Sequence, residues 1–134
     1  MNERISEEIM LARGQYPKLE NGENWILIPE YKLPVGRFNM NITAVLFNIP
    51  LAYPNVGPDD FFIDANLRLL DGTVPLAFNP NPNSSSGPAP LPGNWGWFSW
   101  HPQWWRPSAN PLEGDNLLTF IKSIGVCLRG EESA

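Results

Sequence analysis

The chain has 134 residues and an apolar share of 43%, which suits one domain with a single core. Its net charge of −5, with the nine basic residues scattered from Arg4 to Arg129, excludes the clustered cations that a nucleic-acid partner requires. One cysteine excludes an internal disulfide and a cysteine-based metal cluster, and no apolar run is long enough to cross a membrane. The N-terminus MNERISEEIM lacks the apolar centre of a signal peptide, so a cytoplasmic location is expected, with neither membrane nor nucleic acid as partner.

Ile5 and Ile9 lie four apart and Ala12 three further on, which predicts a short helix from Ile5 to Ala12, ended by Gly14 and Pro17. Glu7 and Glu8 read as solvated residues near its start, where the helix dipole favours them. Trp25 to Ile28 is a predicted strand, continued or bent through Tyr31 to Leu33. Pro34 to Arg37 is a turn, and Asn41 to Phe47 is a second strand, antiparallel to the first because the connection is short.

The apolar run ends at Ile49-Pro50, and Tyr53-Pro54-Asn55-Val56-Gly57-Pro58 follows. Prolines at that density cannot join a backbone ladder, so the chain leaves the sheet in a stiff crossing. Asp59 and Asp60 read as solvated. A third strand is expected over Phe61 to Leu70, closed by Asp71-Gly72. Asn79 to Asn94 holds five prolines, four asparagines and three serines, and is expected to be an irregular loop. Five of the six tryptophans then fall between Trp95 and Trp105. They read either as a compact aromatic cluster pinning the loop to the sheet or as a surface that docks a partner. Alternation puts Trp95, Trp97 and Ser99 on one face. Asp115 is the expected N-cap of a last helix, Asn116 to Leu128, with Leu117, Ile121, Ile124 and Leu128 on one stripe. The tail Gly130 to Ala134 reads as frayed.

The crossing, with Ile49-Pro50, Tyr53-Pro54, Pro58 and Phe61 to Ile63 in order, resembles the core of the ubiquitin-conjugating enzyme superfamily. Leu33-Pro34-Val35-Gly36, the Leu67-Arg68-Leu69 and Asp71-Gly72 stretch, Phe98-Ser99-Trp100-His101 and Trp105-Arg106-Pro107 are similar to its prokaryotic family E branch. The resemblance runs from about Trp25 to Leu128. It implies an α+β, ubiquitin-conjugating-enzyme-like fold over residues 1–134: an antiparallel β-meander of three to four strands, with an N-terminal and a C-terminal helix packed on the sheet. It also implies two partners, a bacterial ubiquitin-like protein and the activating enzyme that charges it. The sequence shows no glycine-rich phosphate loop or zinc spacing, so no cofactor or metal is expected.

The usual enzymes of that superfamily hold the ubiquitin-like protein on a cysteine as a thioester. The position they imply, about Thr73 to Ser86, has no cysteine here. Cys127, late in the last helix, is expected to be a small buried hydrophobe. Ser84, Ser85 and Ser86 stand near the nucleophile position, and His101 is the one imidazole that could activate them. The residues thus point to a binding component of the conjugation pathway, with Tyr53, Pro54, Trp100, Trp104 and Trp105 as contact residues. The alternatives are an enzyme that forms a serine oxyester at Ser84 to Ser86 with His101, or an unrelated protein-interaction module.

Overall fold

The computed structural model describes residues 2–130. Its elements run α1 (Glu3–Arg13), β1 (Glu20–Asn21), β2 (Trp25–Lys32), β3 (Ile42–Asn48), β4 (Phe61–Asp64), β5 (Phe78–Asn79), β6 (Asn83–Ser84), β7 (Gly87–Pro88), β8 (Trp95–Phe98) and α2 (Leu117–Leu128). β1-β2-β3-β4-β8-β5 form one sheet in that order, and β6 and β7 form a separate two-stranded ribbon. All the pairings within the sheet are antiparallel. An N-terminal helix, an antiparallel sheet and a C-terminal helix make the expected α+β architecture. The sheet has six strands rather than three or four, because two-residue strands at both edges extend it. Tail residues 131–134 lie outside the described residues.

The strands follow from their residues. β3 is an apolar, β-branched run with Val45, Leu46 and Phe47 fully buried. It pairs with β2 from Trp25↔Asn48 to Lys32↔Ile42, with a register shift between Ile28 and Tyr31 where Pro29 lacks an N–H. β4 stops at Asp64, six residues earlier than expected. The Asp64 carboxylate accepts the Asn66 N–H at 2.8 Å and the Asp64 carbonyl accepts the Leu67 N–H at 3.1 Å. Such a side-chain turn competes with the ladder and bends the chain away. Leu67 stays fully buried, and Leu69 returns to an isolated bridge with Phe38.

α2 begins one residue later than expected and is capped by Asn116, not Asp115. The Asn116 side chain accepts the Thr119 N–H at 3.0 Å, while Thr119 Oγ1 accepts the Asn116 N–H at 2.9 Å, a reciprocal capping box. Asp115 instead accepts the Arg106 N–H at 2.7 Å. Leu117, Phe120, Ile121 and Ile124 are fully buried against the sheet, with Phe120 edge-on to Phe47 at 4.8 Å between ring centres.

Glu8 also departs from expectation: it is fully buried rather than solvated. One carboxylate oxygen accepts the Leu117 N–H at 2.7 Å and the Tyr53 O–H, and the other accepts Arg4 Nε at 2.8 Å. α1 thereby ties the start of α2 to the crossing between β3 and β4. Burial and the Glu8 hydrogen bond both push the Tyr53 hydroxyl pKa upward.

Candidate functional site

The crossing from Pro50 to Asp60 is ordered by its own turns and by the tryptophans. The Tyr53–Pro54 peptide bond is cis. Trp105 Nε1 donates to the Pro54 carbonyl at 2.8 Å, and the Trp105 ring lies 5.8 Å from that of Tyr53. A Cβ at Gly57 would stand 2.5 Å from Trp105, so only glycine lets the crossing lie flat on that ring. Trp100 is buried and donates its indole N–H to Ser123 in α2 at 3.0 Å. The tryptophans therefore serve mainly as internal packing. Tyr53 and Trp100 are buried, and Pro54, Trp104 and Trp105 are half-buried, so as contact residues these five offer a partner only partial access.

At its end the crossing meets the exit of β8. Asp60 donates its N–H to the Trp100 carbonyl at 2.8 Å and accepts the Trp100 N–H on its carboxylate at 3.1 Å. This reciprocal pair prolongs the β4–β8 ladder beyond Phe61↔Phe98 and holds Asp60 at φ 62, a left-handed backbone uncommon outside glycine. Asp60 is 1% exposed, in contrast to the solvated position expected from the sequence. Its carboxylate also accepts the Ser85 hydroxyl.

Beside this pair stand Asp59, Ser99 and His101. His101 Nδ1 lies 2.5 Å from Asp59 Oδ1, and its Nε2 lies 2.8 Å from Ser99 Oγ. The His101 and Asp59 side chains are 49% and 44% exposed, so an incoming group can reach them. A neutral ring that donates from Nδ1 to Asp59 has its Nε2 lone pair free to accept the Ser99 O–H. That is the order carboxylate, imidazole, hydroxyl, in which the base is oriented by a third group. Ser99 is also held by its backbone N–H, which donates to the Ala77 carbonyl at 2.9 Å.

Ser84, Ser85 and Ser86 come to the same place but in a different role. They form the tight end of the β6–β7 ribbon, which shortens the irregular loop expected there. Ser84 Oγ donates to the Gly87 carbonyl at 2.8 Å, Ser85 donates to Asp60, and Ser86 Oγ donates to the Asp59 carbonyl at 3.1 Å. These bonds occupy the three hydroxyls, and both ring nitrogens of His101 are engaged elsewhere. The imidazole's hydroxyl partner is Ser99. Its signal was present in the sequence: in extended chain Ser99 and His101, two apart, share a face. Asp59 has no comparable signal, since it stands 42 residues before the histidine.

Asp59, Asp60 and His101 each bring one ligand atom to within 4.8 Å of the others. The same atoms form the contact between His101 Nδ1 and Asp59 Oδ1 at 2.5 Å. Cys127 is remote in role. It sits on α2, partly covered, where burial pushes its thiol up to about 12 and keeps it protonated. Among the described residues no helix is long and apolar enough to cross a membrane.

Comparison with known proteins agrees with this architecture. Residues 11–131 match the family model described as Prokaryotic E2 family E. No match was found among curated proteins or among solved structures. With a family match over most of its length and the helix–sheet–helix architecture in place, the chain belongs to the prokaryotic E2 family E.

Proposed function

We propose that this protein accepts the C-terminal acyl group of a ubiquitin-like protein as an oxyester on Ser99, in a bacterial ubiquitin-like conjugation pathway. The observation that carries the reading is the run Asp59–His101–Ser99, with contacts of 2.5 and 2.8 Å on a solvent-accessible edge. In the transfer, His101 Nε2 takes the hydroxyl proton as Ser99 Oγ bonds to the acyl carbon. The bond from that carbon to the leaving group of the activated donor breaks, and the imidazolium returns its proton to the leaving group or solvent. Asp59 holds the ring in the tautomer that leaves Nε2 free and faces the positive charge formed on it. The thiol of Cys127, held protonated, has no part in this. The partners are the ubiquitin-like protein and its activating enzyme.

Reconstitution with the cognate activating enzyme, ubiquitin-like protein and ATP tests this. The expected result is a covalent adduct that resists thiols, disappears in Ser99→Ala and persists in the Ser84→Ala, Ser85→Ala and Ser86→Ala variants. A complex with the ubiquitin-like protein but no adduct would return the protein to the role of a binding component. Binding to neither partner would make it an unrelated interaction module.

A further inference from the structure

We propose that Asp60 is a positioning residue for the reaction at Ser99, acting on His101 as a second carboxylate, with the serine turn of the β6–β7 ribbon as its latch. The inference rests on the Ser99 reading above and adds a residue and a function for the loop.

Asp60 Oδ1 lies 3.7 Å from His101 Nδ1, next to Asp59 Oδ1 at 2.5 Å. The ring nitrogen that must carry positive charge after proton transfer therefore faces two carboxylates. They differ in kind. Asp59 is half in solvent, while the Asp60 side chain is fully covered, and charge interactions weaken much less where water is excluded. Asp60 is also fixed more tightly, by its reciprocal pair with Trp100 and by the Ser85 hydroxyl. The Trp100 bond sets the backbone between Ser99 and His101, so the same carboxylate that faces the ring also sets the spacing of nucleophile and base.

The serine turn explains how a carboxylate is kept buried there. Ser85 donates to Asp60 and Ser86 donates to the Asp59 carbonyl at 3.1 Å, closing the ribbon tip over the pair. Among the described residues, the ion-pair contacts of Asp59 and Asp60 are with His101. The turn supplies neutral hydroxyl donors where a lysine or arginine would compete with the imidazole for the same negative charge.

The test compares Asp60→Asn with Ser85→Ala in single-turnover adduct formation, with thermal unfolding measured on both. Asparagine keeps an oxygen for the Trp100 N–H and removes the charge, while its amide nitrogen replaces the oxygen that accepts Ser85, a bond that Ser85→Ala removes by itself. An opposite charge within about 4–6 Å favours the charged form of a group by a factor of ten or more. Asp60→Asn is therefore expected to lower the maximal rate roughly 10- to 100-fold and to leave the half-saturating concentration of charged donor unchanged. Ser85→Ala keeps the charge. It is expected to lower the unfolding midpoint by a few degrees while the maximal rate stays within about threefold of wild type. A merely structural Asp60 would give the opposite pattern, with rate loss following midpoint loss across the two variants. A folded Asp60→Asn protein reacting at the wild-type rate would overturn the proposal while Ser99→Ala still abolished the adduct. An adduct that survives Ser99→Ala would instead overturn the reading beneath it.

Discussion

Glu8→Ala is the most informative single test of the packing. The carboxylate is fully buried and satisfies three donors: the Leu117 N–H at 2.7 Å, the Tyr53 hydroxyl and Arg4 Nε at 2.8 Å. Truncation leaves the first N–H of α2 without its acceptor, which costs about 1–3 kcal/mol. It also takes the carboxylate away from the Arg4 guanidinium, whose side chain is 18% exposed, whose Nη2 has no partner and whose Nη1 keeps the Ser108 carbonyl. Removing one member of a buried ion pair costs about 3–5 kcal/mol in all. For a domain of this size that is a fall of roughly 10–20 °C in the unfolding midpoint. Glu8→Gln should cost roughly half as much. Both the Leu117 and Tyr53 donors use Oε1, which glutamine retains, while its amide would point a donor at Arg4. Urea unfolding followed by tryptophan fluorescence, with the slope checked for constancy, gives both values. A Glu8→Ala protein within about 1 kcal/mol of wild type would refute the reasoning, because it would mean that the carboxylate is not the junction of α1, the crossing and α2.

Cys127→Ala should leave adduct formation intact and cost on the order of 1 kcal/mol, measured by urea unfolding. Because burial raises the folded thiol to about 12, its contribution to stability is fully present below the unfolded value near 9 and is lost as pH rises towards 12. Tyr31 and Tyr53, also raised by burial, push in the same direction, so unfolding free energy should decline on the alkaline side. Asn116→Ala should destabilise by about 1 kcal/mol through loss of the capping box, and its double mutant with Thr119→Ala should cost less than the sum of the single changes. His101→Ala should slow adduct formation by roughly 10²–10⁴-fold with no comparable loss of folding stability, as read from single-turnover rates and thermal unfolding.

The helices and long strands were legible because their signals are local. The stripe Leu117, Ile121, Ile124 and Leu128, and the β-branched run of β3, each bury one face whatever surrounds them. The prolines of the crossing and their order likewise mark the family from the sequence alone. What failed depended on distant partners. Glu8 and Asp60 look like solvated carboxylates in the sequence, and only packing reveals that each is buried with several donors. The shortening of β4 turned on Asp64 forming its own turn, a choice that an alternating apolar pattern does not disclose. The candidate site is half visible in the sequence: His101 is the one histidine, but the serine loop offers three hydroxyls near the expected nucleophile position, while the hydroxyl it meets, Ser99, stands two residues away. Asp59 joined it through the antiparallel pairing of β4 with β8, which brings the two strand ends together from 42 residues apart.

The central claim is that the acyl group rests on Ser99. The most direct measurement is tandem mass spectrometry of the reconstituted, thiol-treated adduct, localising the ester to one residue within the Trp95–Arg106 segment. The expected result is a modification on Ser99 that hydroxylamine removes and reducing agents do not. An adduct on Cys127 or within Ser84 to Ser86, or one released by thiols, would contradict it.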